Sequence, residues 1–218
     1  MTAVFDIGSA IGRLTRGRPL LIVDADEVLL RFVEGFDRYL QARGMFLDLS
    51  SYRLHGNVKW LAGGEAVLDV EVTALLDEFR RDLDSLEIVE GAQEALQALR
   101  PRLDILVLTN ISPAQATPRM RNLATHGFDL PLVANSGLKG PAVKALATQA
   151  GRPAFFVDDI PHNLASAAQA APEIWRIHLI GDERLKPLLP PAADAHLRAE
   201  DWSQARRFIE TKLDEAGL

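Results

Sequence analysis

Short apolar runs alternate with amphipathic segments along most of the chain. The strongest run, Leu20 to Val23, predicts a buried strand because it is short, apolar throughout and partly β-branched. Similar runs predict strands at 103–108, 154–157 and 174–180, with a weaker one at 130–133. Segments with helical spacing that stop before Gly or Pro predict helices at 92–99, 114–125, 141–150 and 164–170, and a final amphipathic helix is predicted at 202–213.

The order of these predicted elements indicates the fold class. From about residue 91 onward, helices and strands follow one another in strict alternation. This alternation is typical of a parallel sheet that is covered by helices on both faces. We therefore predict an α/β fold of three layers.

One segment breaks the alternation, because no good sheet strand follows Val23 until residue 103. The gap holds two helical patterns, at 32–43 and 65–83, and a loop-like stretch at 44–64. We predict a helical insertion over residues 33–88. It is either an elaborated crossover connection or a mobile lid over an active site.

Composition excludes several classes of protein. The 218 residues suffice for one domain with or without an inserted subdomain, and 48% apolar with 25% charged residues excludes a disordered or fibrous chain. The net charge is −6, whereas a nucleic-acid-binding protein typically carries an excess of basic residues. The sequence has no Cys, which excludes disulfides, thiolate metal sites and Cys nucleophiles.

The apolar runs are too short for a membrane protein. None approaches the roughly 18 consecutive apolar residues of a membrane span. The first residues also lack the continuous apolar core of a signal peptide. We therefore expect a cytoplasmic protein with neither a membrane nor a nucleic acid as partner; the sequence leaves its oligomeric state open.

Candidate chemistry lies where the predicted strands end, because ligands of open parallel sheets bind at the carboxyl ends of the strands. The polar residues there are Asp24 and Asp26, then Thr109 and Asn110, then Asp158 and Asp159, with Lys139 at the start of a helix. Clustered carboxylates repel one another and persist when a cation joins them. An all-oxygen ligand set beside a phosphate suits Mg²⁺, and a lysine would balance the remaining phosphate charge.

Four segments of the chain, taken in order, resemble the motifs of the haloacid dehalogenase (HAD) superfamily of phosphohydrolases. They are LLIVDADEVL around Asp24 and Asp26, ILVLTN at Thr109, SGLKGP around Lys139, and FFVDDIPHN around Asp158 and Asp159. The resemblance spans residues 20–163. It implies a Rossmann-like core formed by 1–32 and 89–218, a helical cap formed by 33–88, a Mg²⁺ site and an aspartyl-phosphate intermediate.

The resemblance also implies a role for each motif residue. Asp24 is expected as nucleophile and metal ligand, and Asp26 as general acid and base with its backbone carbonyl on the metal. Thr109 is expected to bind the transferring phosphoryl group, helped by the backbone N–H of Asn110. The remaining assignments are Lys139 as the lysine that holds nucleophile and phosphate in register, Asp159 as a direct metal ligand, and Asp158 as a ligand or its neighbour.

Three residues depart from the pattern or compete with it. Glu27 stands where Gly is common, so the turn after Asp26 is expected to differ in shape. Asn163 stands where many members carry another acid, which would weaken the surroundings of the metal. Lys144 competes for the role of Lys139, which we prefer because Gly-Pro follows it and places it at a helix start.

The motif set predicts a Mg²⁺-dependent phosphomonoester hydrolase that acts on a small phosphorylated metabolite. A phosphomutase stays open, whereas Asp26 argues against a 2-haloacid dehalogenase, whose halide needs no proton. The order of the motifs argues against a receiver-like phospho-binding domain, and their completeness argues against a catalytically retired binding module. Within the insertion, His55, Asn57 and Lys59 are the candidates for substrate specificity.

Overall fold

The computed structural model describes residues 4–81 and 83–218, and these residues form an α/β fold of three layers. Its main sheet has seven strands: β1 Val4–Phe5, β2 Leu20–Val23, β5 Asp104–Asn110, β6 Leu132–Asn135, β7 Ala154–Asp158, β8 Trp175–Leu179 and β9 Leu197–Ala199. All seven are parallel, and they lie in the order β1-β6-β5-β2-β7-β8-β9.

Eight α-helices accompany the strands in the described part of the chain. They are α1 Ile7–Ile11, α2 Phe32–Gln41, α3 Asp69–Phe79, α4 Ala92–Leu99, α5 Pro113–Thr125, α6 Gly140–Gln149, α7 Pro161–Ala170 and α8 Trp202–Glu215. Along β2, Leu21 and Val23 join the core under α4, α5 and α8, whereas Leu20 and Ile22 join the core under α1, α6 and α7. The predicted parallel sheet between two helical layers is therefore confirmed.

The insertion after β2 contains more than the predicted helices. Helices α2 and α3 flank an antiparallel hairpin of β3 (Met45–Leu47) and β4 (Val58–Trp60), so the expectation of a loop over 44–64 was wrong. These strands have three residues each, which is too short for an alternating pattern to stand out in the sequence. Helix α3 begins at Asp69, later than predicted, and residue 82 of that predicted helix lies outside the described residues.

Both ends of the insertion leave the core side by side. Leu30 and Ile88 form an antiparallel bridge, and the N–H of Arg31 donates to the carbonyl of Glu87 at 2.8 Å. The N–H of Val89 donates to the carbonyl of Leu29, also at 2.8 Å. This paired connection holds the insertion over the carboxyl ends of the strands.

Elements at both ends of the chain were not predicted. The pair β1–α1 precedes β2 and adds an edge strand beside β6, and β9 extends the other edge beside β8. The strands have two and three residues, so neither produces a recognisable apolar run. No helix formed by residues 4–81 or 83–218 has both the length and the apolar character that a membrane crossing requires.

Candidate active site

Strand register brings the first and last acidic motifs together. Val23 of β2 pairs with Val107 of β5 on one side and with Val157 of β7 on the other. Asp24 and Asp158 come next along neighbouring strands, so both carboxylates lie at the same edge of the sheet. Both side chains are buried, with Asp158 fully inaccessible to solvent.

Lys139 lies between these two carboxylates. Its Nζ is 2.7 Å from Asp24 Oδ1 and 2.8 Å from Asp158 Oδ2, and its side chain is only 1% exposed. Burial opposes the positive charge, but the charges of Asp158 and Asp24 outweigh it and raise the pKa of Lys139. Lys144, in contrast, is exposed on α6. The structure therefore brings Lys139, and not Lys144, to the acidic residues.

A close helix contact places Lys139. It precedes α6, and a Cβ on the next residue, Gly140, would lie 2.3 Å from the backbone oxygen of Ser166 on α7. Only glycine allows this approach, and its N–H donates to Ser166 Oγ at 3.2 Å. The Gly-Pro pair after Lys139 therefore fixes the start of α6 against α7 with the lysine directed into the site.

Asp24, Asp158 and Asp159 form a buried group, here called the acid cluster. Each can offer a carboxylate oxygen such that the three atoms lie within 4.8 Å of one another. Burial and the charges of Asp158 and Asp24 raise the pKa of Asp159 well above its usual value. Among the described residues, Lys139 is the cation that pairs with Asp24 and Asp158, so the three carboxylates keep an excess of negative charge when ionised.

This donor set fits a hard divalent cation. It contributes only oxygen and is buried, and a cation would offset the burial and the carboxylate repulsion that together raise the pKa of Asp159. Mg²⁺ is typically bound by a few carboxylates together with water and phosphate oxygens. The carboxylate of Asp26 is not part of this group.

Asp26 faces a buried arginine instead. Its Oδ1 lies 2.6 Å from Nη2 of Arg119 on α5, whose side chain is 1% exposed, whereas the Asp26 side chain keeps 32% exposure. The oxygen that faces Arg119 is nevertheless buried, and burial raises the pKa of Asp26, although the charges of Arg119, Arg80 and Lys139 oppose the shift. A carboxyl group with a raised pKa suits an acid that delivers a proton.

Thr109 and Asn110 end β5 beside Asp24. The side chain of Thr109 is buried, with 1% exposure, whereas Asn110 is exposed. The amide of Asn110 donates to the carbonyl of Gly137 at 3.0 Å and accepts from Asn135 at 2.7 Å. The Asn110 side chain therefore braces the loop that leads to Lys139, while its backbone stays at the strand end.

No protein-family model matches the chain, and no curated protein matches it in sequence. Solved structures do match in fold. A HAD family hydrolase from Deinococcus radiodurans with bound phosphate and sodium has a TM-score of 0.59 at 16% identity, over 91% of this chain and 97% of that one. The HAD-hydrolase YfnB from Bacillus subtilis, bound to magnesium, has a TM-score of 0.59 at 13% identity, over 89% and 99%.

A third neighbour is a protein from Thermotoga maritima named as a β-phosphoglucomutase. It has a TM-score of 0.54 at 16% identity, over 88% of this chain and 99% of that one. These matches cover nearly the whole of each neighbour. The chain has the haloacid dehalogenase-like fold. The fold therefore agrees with the resemblance seen in the motifs.

The turn after β2 has a residue with left-handed backbone conformation, Glu27, at the position where glycine is common. Glu27 has a backbone φ of 58°, in the left-handed region that residues other than glycine rarely adopt. Its Oε1 accepts a hydrogen bond from the N–H of Val33 at 2.7 Å, which ties the turn to α2. Burial raises the pKa of Glu27 to about 8. Hydrogen bonding of the glutamate thus holds the shape that glycine adopts freely.

Asn163 supports Asp158. Its Nδ2 donates to Asp158 Oδ1 at 3.1 Å, and the N–H of Ile160 donates to the same oxygen at 2.8 Å. An acid at position 163 would repel Asp158 unless a cation lay between them. The amide instead orients the carboxylate that holds Lys139.

Tyr52 is the residue of the insertion that reaches the acid cluster. Its hydroxyl donates to Oδ2 of Asp159, although 107 positions separate the two residues. Burial and the charge of Asp159 raise the pKa of Tyr52, so the hydroxyl keeps its proton. Sequence reasoning missed it; the available signal was an amphipathic aromatic side chain in the polar stretch between β3 and β4, one of only two tyrosines in the chain.

The three predicted specificity residues make their hydrogen bonds within the insertion. His55 Nε2 lies 3.0 Å from Thr73 Oγ1, and Lys59 pairs with Asp48. Asn57 is buried and donates to the carbonyls of Ser51 and Arg53, on either side of Tyr52. Asn57 therefore shapes the loop that carries Tyr52.

Arg119 was also missed. It follows Ala116 by three positions and precedes Leu123 by four, so it shares the buried face of α5 with two apolar residues. A lone arginine on an apolar helix face was the signal in the sequence. Its partner Asp26 is far away in the chain and could not be identified from the pattern.

Proposed function

We propose that this chain is a HAD-superfamily phosphatase that hydrolyses a small phosphorylated metabolite with the help of Mg²⁺. The observation that carries the proposal is the buried group of Asp24, Asp158 and Asp159, with Lys139 paired to the first two. Bound there, the cation would neutralise the carboxylates and polarise the phosphoryl oxygens. Asp24, Asp158 and Asp159 would hold it.

In the first step, Asp24 attacks phosphorus and Asp26 gives its proton to the leaving oxygen. The buried Lys139 holds Asp24 through Oδ1 and carries the charge that offsets the incoming phosphoryl group. Thr109 offers its hydroxyl at the neighbouring strand end. A P–O bond to Asp24 forms as the P–O bond to the leaving group breaks.

In the second step, Asp26, now deprotonated, takes a proton from water. The water attacks phosphorus, which releases phosphate and regenerates the Asp24 carboxylate. Residues 33–88 act as a cap in this proposal, because Tyr52 brings that segment onto the acid cluster. Closure of the cap would exclude bulk water from the phosphoryl group.

We expect hydrolysis of an aryl phosphate to require added Mg²⁺ and to stop when EDTA removes it. Asp24→Asn should reduce the rate to background, because the amide is a poor nucleophile. Asp84→Asn is the matched control, since Asp84 is an exposed aspartate that pairs with Arg121. Full activity after metal stripping, or in Asp24→Asn, would contradict the proposal.

A further inference from the structure

The guanidinium group of Arg119 is buried with most of its hydrogen-bonding capacity unused. Nη2 meets Asp26 Oδ1 at 2.6 Å, but Nε and Nη1 have no hydrogen-bond partner among the described residues. A guanidinium has five N–H donors, and buried charged donors are costly when unpaired. One carboxylate oxygen therefore leaves this arginine short of acceptors.

The position of Arg119 indicates which part of a substrate it would meet. Under the proposed function, on which this inference rests, Asp26 gives its proton to the leaving oxygen. Arg119 touches Asp26, whereas Lys139 touches Asp24 and Asp158. The two cations thus serve different regions: Lys139 the transferred phosphoryl group, and Arg119 the leaving group.

A second arginine strengthens the positive charge there. Arg80 follows α3 in the insertion, and its charge acts on Asp26 together with that of Arg119. The two arginines come from different parts of the fold, one from the core and one from the insertion.

We propose that Arg119 binds a second anionic group on the leaving group of the substrate. The substrate class is then phosphomonoesters that carry a carboxylate or a second phosphate a short distance from the ester oxygen. Both groups offer paired oxygens that match the planar fork of a guanidinium. Asp26 and this anion would share the donors of Arg119.

The test uses matched substrates that differ in the second charge. Phosphoglycolate is compared with its neutral amide, and propane-1,3-diol bisphosphate with the monophosphate, by kcat/KM with Mg²⁺. We expect the wild-type protein to prefer the anionic member of at least one pair by about 10–100-fold. The pair that shows the preference distinguishes a carboxylate from a phosphate.

Variants of Arg119 distinguish two roles of this residue: binding of the second anion and support of Asp26. Arg119→Gln and Arg119→Lys should bring the preference close to one. Any damage to Asp26 lowers both members of a pair alike, so the ratio reports the second anion alone. Arg121→Gln is the matched control, because Arg121 lies on the same helix, is exposed and pairs with Asp84; it should keep the wild-type preference.

Each outcome decides one claim. A wild-type protein that hydrolyses both members equally, or Arg119 variants that keep the preference, would overturn this inference and leave the phosphatase proposal standing. Hydrolysis of neither pair by a protein that still hydrolyses the aryl phosphate would overturn this inference alone, whereas failure with the aryl phosphate as well would overturn both. If the Arg119 variants fail to fold, the KM values of the wild-type protein decide: the anionic member of at least one pair must have the lower KM, and equal KM values within both pairs overturn the inference.

Discussion

Asp158 and Asp159 are neighbours in the sequence, yet their carboxylates have different partners. Asp158 accepts from Ile160 and Asn163 and pairs with Lys139, so both of its oxygens are engaged. Among the described residues, the Asp159 carboxylate accepts a hydrogen bond from Tyr52. Asp159 is therefore freer to bind a cation, and Asp158 is better suited to hold Lys139.

This difference predicts the ranking of two variants. Asp159→Asn should weaken Mg²⁺ binding more than Asp158→Asn, measured by calorimetric titration. Asp158→Asn should lower the melting temperature more, because it removes one partner of a fully buried ion pair, an effect that can reach about 3–5 kcal/mol. The opposite ranking in both measurements would exchange the two roles.

The inserted segment contacts the candidate site directly, through Tyr52 and Asp159. Its hairpin carries Tyr52 to Asp159, and Asn57 orders the intervening loop. Thr109, Lys139 and the acid cluster are nearly inaccessible in this arrangement. In the proposed mechanism, a substrate would reach these residues after the insertion has moved away from them.

Tyr52→Phe tests whether this link supports the metal site. The variant keeps the ring but loses the hydroxyl that orients Asp159, and losses of this kind typically weaken metal binding by 10–100-fold. The expected result is a higher Kd for Mg²⁺, with little change in the melting temperature without metal. Tyr39→Phe is the control, because Tyr39 packs on Phe36 and Phe79. Equal Kd values for Mg²⁺ in both variants would show that the Tyr52 hydroxyl does not support the metal site and that Tyr52 contributes only packing.

At the scale of the whole molecule, the parallel sheet was predictable because β2, β5 and β7 are apolar runs that end in polar residues. Their carboxyl ends define the candidate site, so Asp24, Thr109 and Asp158 could be expected near one another. The short strands β1, β3, β4 and β9 were not predictable, since two or three residues carry no clear periodicity.

Contacts between segments that are distant in the chain also could not be predicted from the sequence. Tyr52 and Asp159 come from opposite halves of the chain, as their separation of 107 positions shows. Arg119 on α5 meets Asp26 although 93 positions separate them, and the same helix contacts the end of the insertion, where Asn122 donates to the carbonyls of Asp84 and Leu86. Helical periodicity identifies the buried face of α5, but it does not identify what lies opposite.

The central claim is that Asp24 becomes phosphorylated and Asp26 moves the proton. The direct test is mass spectrometry of Asp26→Asn after rapid acid quenching of its reaction with acetyl phosphate, whose leaving group needs little protonation. Loss of the base should slow hydrolysis of the intermediate by about 10²–10⁴-fold. The account predicts phosphate on the peptide that contains Asp24, and none in the Asp24→Asn variant. Phosphate on position 26 in the Asp24→Asn variant, or no phosphorylated peptide in a variant that still turns over, would contradict it.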